Sequence, residues 1–326
     1  MLHLTLSGDI LRLLRDRAGT PKYHPVALSY KATRTNEETI RLKAKTRGNF
    51  RRMRENCNYP PLLLNFQKKD TRSSLFHQQD KLKLVVPCRD QNHVIREYLV
   101  YKLYNLVTPK SFRARLVKTT FYDTLKKKEI TSAYCIMLEE EKQMAQRNQS
   151  VILNKKMVSP ERTDSETFIK MAVFQYMIGN TDWSVLYLHN TRLIAIDSSA
   201  IPSVVPYDFD HSGIVDAPYA MPPSELGLGT IRERRYRGYC IPDIKRFDDA
   251  VATFNRLKKD FYNIYTSSPL LQEKYKSSTT KFLDQFYDTI NDPNKLKWEF
   301  NYPCRHASSK VIIKGLPKNH EVENDF

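Results

Sequence analysis

Two neighbouring stretches decide how this sequence folds: MIGNTDWSVLYLHN, Met177–Asn190, and VVPYDFDHSG, Val204–Gly213. The first leaves a segment that is apolar nearly all round, ETFIKMAVFQYMIG, in which Phe168, Ile169, Met171, Ala172, Val173, Phe174, Tyr176, Met177 and Ile178 leave no polar stripe. That pattern predicts a buried helix. Thr163-Asp164-Ser165 with Glu166 supplies a start signal, and Gly179-Asn180 a stop. After the helix comes a polar break carrying Asp182 and Asn190. TRLIAI, the turn DSSA and IPSVVPYDF then read as a β-hairpin whose second strand runs into Asp208 and Asp210.

Upstream the pattern is different. TIRLKAK (Thr39–Lys45) alternates and predicts a strand, followed by the Arg-dense turn TRGNFRRMRENC; PPLLLNF and KLKLVVPC predict two more strands. DQNHVIREYLVYKLYNLVTP has helical spacing and stops at Thr108-Pro109, and ARLVKTTFYD with ITSAYCIMLEE flank TLKKKE as a hairpin. Downstream of Gly213 lies an irregular stretch to Cys240. Two amphipathic helices are expected within Pro242–Tyr265 and Pro269–Ile290. The expected division is therefore a β-rich domain over 1–140 with one prominent helix and a mainly helical domain over 141–326.

The chain has 326 residues, 40% of them hydrophobic, enough for one large domain or two lobes. No apolar run reaches the roughly 18–20 residues of a membrane span. The first residues do not read as a signal peptide, and the compartment stays open: extracytoplasmic or envelope-associated if a leader was removed, cytoplasmic otherwise. All of the +17 net charge falls in residues 1–130, where 28 basic residues face 11 acidic ones. Such asymmetry suits nucleotide phosphate, nucleic acid or an acidic membrane surface, or simply a solvated basic face. Cys57, Cys88, Cys135, Cys240 and Cys304 lie far apart with no C-x-x-C, which excludes a zinc ribbon and a dense disulfide scaffold. Most are expected to be small buried hydrophobes, with at most two bridges.

Phosphoryl transfer from ATP needs a carboxylate to orient the attacking hydroxyl, oxygen ligands for a divalent metal, a cation on the phosphates and a covering loop. The order buried helix, Asp182, Asn190, hairpin, Asp208 is that of a catalytic loop followed by a metal loop. Arg47, Gly48 and Asn49 form a turn placed to cover phosphates. Lys81 and Lys83 share one strand face, with Lys83 the better candidate to pair with Glu97 on the next helix. IMLEEE, including Glu139, would be the hinge beside an adenine.

RGNF after a strand, the Lys strand with its Glu helix, and above all GNTDWS…HN…VPYDFDHSG resemble the CotH family of atypical protein kinases, over roughly Thr39 to Gly213. The resemblance implies an α+β, two-lobed protein-kinase-like fold that uses ATP with Mg²⁺ or Mn²⁺ to phosphorylate Ser/Thr of a protein. It implies Asp182 as catalytic base, Asn190 and Asp208 as metal ligands and Asp210 as a second metal ligand. The sequence departs from ordinary protein kinases in the longer Asp182–Asn190 gap, the absence of His-Arg-Asp, and Asp-Phe-Asp in place of Asp-Phe-Gly. Neither G-x-G-x-x-G nor G-x-x-x-x-G-K occurs. Other readings keep the fold but transfer to a small molecule, sugar or lipid, transfer AMP, or have no activity. A non-catalytic basic module for nucleic acid or anionic polymer is a further alternative, though no nucleic-acid motif appears. Taken singly, Asp182 is also an ordinary turn residue, and Lys83 and Glu97 ordinary surface charges. His189 and His211 read as structural neighbours of the site, and Trp183 as packing under the loop. RERRYRGYC (Arg232–Cys240) reads either as an acid- or phosphate-contacting patch or as a solvated loop over Tyr236 and Tyr239.

Overall fold

The structure, a computed structural model, describes residues 1–31 and 37–306. Its elements, in chain order, are β1 (Leu2–Gly8), α1 (Ile10–Arg15), β2 (His24–Lys31), β3 (Glu37–Thr46), β4 (Leu62–Phe66), α2 (Lys68–Thr71), β5 (Lys81–Val85), α3 (Gln91–Val107), β6 (Ala114–Asp123) and β7 (Lys128–Leu138). Then follow α4 (Glu141–Arg147), β8 (Val151–Leu153), α5 (Ser165–Ile178), β9 (Thr191–Ala195), β10 (Ser203–Pro206), α6 (Asp248–Thr266), α7 (Glu273–Ile290), α8 (Pro293–Phe300) and α9 (Tyr302–Arg305). They cluster into two compact units, Met1–Tyr98 with Ala114–Glu140, and Leu99–Arg113 with residues 141–306.

In the first unit seven strands close into a barrel in the order β1-β2-β3-β4-β5-β7-β6, sealed by parallel pairing of β1 with β6. Alternation explains its core: Leu4, Leu6, Leu28, Leu42, Leu64, Leu84 and Val117 point inward and are almost fully buried. A barrel of this closure lies beyond the sequence reading, which assigned no strands before Thr39. The signal was present, since Leu2, Leu4 and Leu6 alternate with His3, Thr5 and Ser7. On the opposite face, the register sets Lys45, Leu63, Lys83 and Leu138 side by side across β3, β4, β5 and β7. Lys45 and Lys83 are each 7% exposed, so both ammonium stems lie against protein rather than in water.

The second unit is built on α5. Asp164 caps its start by accepting the Thr167 amide at 3.0 Å, and Gly179 ends it in the left-handed region at φ 65°. Full burial of Phe168 and Phe174 contributes about 1.5–3 kcal/mol each by area alone. A three-stranded sheet, β10-β9-β8, and the helices α6 to α9 complete the unit. Residues 99–113, assigned from sequence to the β-rich domain, belong here instead. The cause is aromatic packing: Tyr104 lies 4.6 Å from Phe174, and Tyr101 4.9 Å from Phe209. Residues 307–326 of the expected helical domain lie outside the described residues.

The expected ceiling of two bridges is reached, whereas the expectation that most cysteines are small buried hydrophobes is corrected. Four of the five are bridged, Cys57 to Cys88 and Cys240 to Cys304, and only Cys135 is a free, buried thiol. Partners 31 and 64 residues apart meet only in the folded chain, which is why spacing did not reveal them. Among the described residues, no helix is long and apolar enough to cross a membrane.

Candidate active site

In the second unit the loop after α5 is folded by local hydrogen bonds. Asn180 Oδ1 accepts the Asp182 amide at 3.0 Å, while Asn180 Nδ2 donates to buried Gln175 Oε1. This Asx turn launches the chain into the loop with Asp182 at its head. Ser184 and His189 then exchange both backbone hydrogen bonds at 2.9 Å, closing the six residues into a small ring. The closure returns His189 and Asn190 to Asp182. His189 Nε2 lies 2.8 Å from Asp182 Oδ1. Asn190 Nδ2 donates to the Asp182 carbonyl at 2.8 Å and to its Oδ2 at 3.1 Å. Asn190 sits at φ 51°, a left-handed conformation that Asn tolerates better than most residues.

The hairpin brings Asp208 to the same end. Pro206 pairs with Thr191, and the next residue, Tyr207, donates its amide to the Asn190 carbonyl at 3.0 Å. Asp208 follows in the left-handed region at φ 62°, its amide accepted by the Tyr101 hydroxyl at 2.9 Å. Phe209 is fully buried and packs edge-on against Tyr101 and Phe174, which anchors the turn from below. Asp210 is buried and accepts the Tyr219 hydroxyl at 3.0 Å on Oδ2. His211 packs against the same tyrosine with its ring tilted, the centroids 5.6 Å apart. Within β9, Arg192 forms a buried pair with Glu141 at 2.9 Å and lies over the Tyr207 ring.

Burial pushes the Asp182 carboxyl up, but the His189 hydrogen bond and the electrostatic influence of His189, His211 and Arg237 outweigh it, so its pKa lies below the ordinary carboxylate value. Asp182 is therefore an ionised acceptor at neutral pH. The donor set here is hard oxygen. Because the Asn190 amide nitrogen is committed to Asp182, its carbonyl oxygen is the atom left for a cation, with the Asp208 carboxylate at the same hairpin end. Among the described residues, no three His, Cys, Asp or Glu side chains converge as a ready-made metal cluster. Such a set suits Mg²⁺ or Mn²⁺ that keeps water or phosphate ligands, and it does not suit a closed structural zinc site.

In the first unit, Gly48 turns at φ 84° between the half-buried Arg47 and the exposed Asn49. The loop behind this turn is held by cations aimed at carbonyls. Arg51 donates to Val86 O at 2.7 Å, Arg52 to Gly19 O at 2.9 Å, Arg89 to Glu55 O at 2.9 Å and Arg17 to Cys57 O at 2.8 Å. The Cys57–Cys88 bridge ties the same loop to the segment after β5. Glu97 is 1% exposed, and Arg51 Nη1 stands 3.7 Å from its Oε2. The sequence predicts only a lysine partner for Glu97; Arg51 joins it through the fold, its one signal being the density of RGNFRRMR. Lys81 is half-buried at the head of β5, and Lys83 is buried two residues later on the same face. Glu139 is half-buried in the link after β7.

Arg232–Cys240 matches neither sequence alternative fully. Tyr236 is fully buried, but the arginines turn inward as well. Arg232 and Arg234 lie over the Phe282 ring at 4.7 and 3.6 Å, and Arg235 over Tyr302 at 4.2 Å. Arg234 donates to Met177 O and Phe282 O. Arg237 donates to the carbonyls of Thr181 and Trp183, the latter at 2.8 Å. Trp183 itself is buried, donates Nε1 to Asn180 O at 3.2 Å and packs near Phe168.

The solved structures similar to this chain include the Helicobacter pylori proinflammatory kinase CtkA, with a TM-score of 0.44 and 12% identity over 74% of this chain and 92% of that one. They also include two structures of the Golgi casein kinase, one of them with Mn/ADP bound, each with a TM-score of 0.35 and 10% identity over 91% of this chain and 78% of that one. No protein-family model matches the sequence, and no curated protein matches it.

Proposed function

We propose that the chain is an ATP- and divalent-metal-dependent phosphotransferase of the atypical-kinase type, acting on Ser or Thr of a protein. The observation that carries this reading is the junction of Asp182 with Asn190, whose amide clasps the Asp182 carbonyl and carboxylate while a backbone bond links Asn190 to the residue before Asp208. In this proposal Asp182 accepts the proton of the acceptor hydroxyl as that oxygen bonds to the γ-phosphorus. The bond from phosphorus to the bridging oxygen breaks, and ADP leaves. Asn190 and Asp208 hold Mg²⁺ or Mn²⁺, which neutralises charge on the phosphate oxygens; Asp210, already bonded to Tyr219, is a secondary candidate. Lys83 and Lys81, with Arg47, Gly48 and Asn49, are assigned to the phosphates, Glu97 to positioning these cations, and Glu139 to the nucleotide hinge. The two disulfides favour an oxidising compartment.

The test is incubation with Mn²⁺ or Mg²⁺, γ-labelled ATP and generic protein acceptors. Label transfer is expected, together with a thermal shift by nucleotide plus metal. Asp182→Asn should keep that shift and lose roughly 10²–10⁴-fold in transfer rate. A wild-type chain that neither transfers phosphate nor responds to nucleotide with metal sinks the reading. Intact mass separates phosphate transfer from AMP transfer.

A second reading rests on the charge surplus of residues 1–130: a basic surface for nucleic acid or another anionic polymer. Its signature is retention of DNA or RNA that weakens steeply as salt rises.

A further inference from the structure

We infer that Arg237 is the positioning residue of the Asp182 loop, an inference that rests on the phosphotransferase reading for its kinetic consequence. The loop 181–190 is held on one side by its own bonds and on the other by a side chain 55 positions later than Asp182. Arg237 reaches the carbonyl on each side of Asp182, Thr181 O and Trp183 O, with a single nitrogen, Nη1. Its guanidinium also lies 5.5 Å from the Trp183 ring centroid. Thr181 O lies in the peptide plane that enters Asp182 and Trp183 O in the plane one residue beyond it, so anchoring both restrains the backbone on the two sides of a single residue. Asp182 is the residue so fixed. Burial holds the Arg237 guanidinium down to about 10, still charged at neutral pH, with the Asp182 carboxylate as an attractive neighbour.

The neighbouring arginines show what a purely structural role looks like. Arg234 comes from the same stretch and donates to Met177 O in the last turn of α5 and to Phe282 O in α7. It clamps two helices and does not touch the loop. Arg237 differs in its target, and its planar guanidinium fixes the direction of both bonds and lies near the Trp183 ring, where a lysine ammonium offers only a rotating point charge. Three residues beyond Arg237, Cys240 is bridged to Cys304, which fixes the base of the arm.

The experiment compares wild type with Arg237→Lys, Arg237→Ala and Arg234→Lys in phosphate transfer, in thermal shift by ATP and Mn²⁺, and in hydrogen exchange of peptides covering 181–190. Arg237→Lys is expected to lower kcat at least tenfold while KM for ATP and the nucleotide thermal shift stay within about twofold, and millimolar free guanidinium should partly restore Arg237→Ala. Arg234→Lys should lose thermal stability with kcat within about threefold. Exchange in 181–190 should quicken at least fivefold in Arg237→Lys and not in Arg234→Lys. Unchanged exchange in Arg237→Lys, or kcat losses equal in the two lysine variants, overturns the inference. An inactive wild type refutes the phosphotransferase reading alone, because the exchange comparison still decides whether Arg237 orders the loop. If Arg237→Ala does not fold, the lysine pair carries the same decision.

Discussion

Asn190 would serve two ends with one amide: its nitrogen fastens the loop to Asp182, and its oxygen is the atom that the proposed metal role uses. That double use is chemically specific to an amide. Aspartate at this position would set two carboxylates about 3 Å apart, an arrangement that forces one of them to take up a proton. Asp182 itself shows the opposite environment. Its depressed pKa means that folding favours the ionised form, so its contribution to stability is complete above the ordinary value of 3.8 and is lost as pH falls through the lower folded value. A carbon-NMR titration of the Asp182 carboxyl should place its midpoint below 3.8, and a midpoint above that value contradicts the electrostatic account. At this scale much was visible in the sequence. Asp182, Asn190 and Asp208 are nameable from their order because Asp182 follows a helix, Asn190 precedes a strand and Asp208 follows the strand paired with it. Arg51, Arg237 and Tyr101 were not, because their partners are fixed only by the fold.

Among the elements, α5 and the β9–β10 hairpin decide where the site lies. Asp164 bonds the first turn of α5 at 3.0 Å, and Asp164→Ala should destabilise the protein by about 1 kcal/mol, read as a lower urea midpoint. After the hairpin the chain returns to α5 through Gly213, whose amide donates to Gly179 O at 3.0 Å. A Cβ on Gly213 would stand 2.6 Å from Ile231 O, a backbone atom that cannot swing away. Gly213→Ala should therefore cost about 1–3 kcal/mol, and a variant of wild-type stability would show that this contact relaxes freely. The helix, its cap, its glycine stop and the hairpin are all legible in the sequence, since each follows from periodicity and turn chemistry within a dozen residues. The inward turn of Arg232, Arg234 and Arg237 is not legible. A run of arginines looks the same whether its guanidiniums meet water or carbonyls.

For the whole chain, the two bridges join positions 31 and 64 residues apart, and each should contribute about 2–4 kcal/mol. Reduction, or the pair Cys240→Ser with Cys304→Ser, should lower thermal stability accordingly; a reduced protein that melts like the oxidised one would remove the disulfides from the account. The charge surplus of residues 1–130 predicts that any retention of nucleic acid weakens steeply as salt rises, and an absence of retention at low salt removes the binding-module reading. What the amino-acid order determined alone is local: which segments are strands and helices, where they stop, and that two carboxylates and an amide follow a buried helix in series. Periodicity and turn residues act over a few positions, so they can be read from the chain itself. Closure of the barrel by β1 against β6, the pairing of four cysteines, the transfer of residues 99–113 to the α5 unit and the reach of Arg237 to the Asp182 loop were decided by tertiary structure. Each joins groups tens of residues apart, and only packing, by choosing one arrangement among many of similar local quality, can bring such groups within bonding distance.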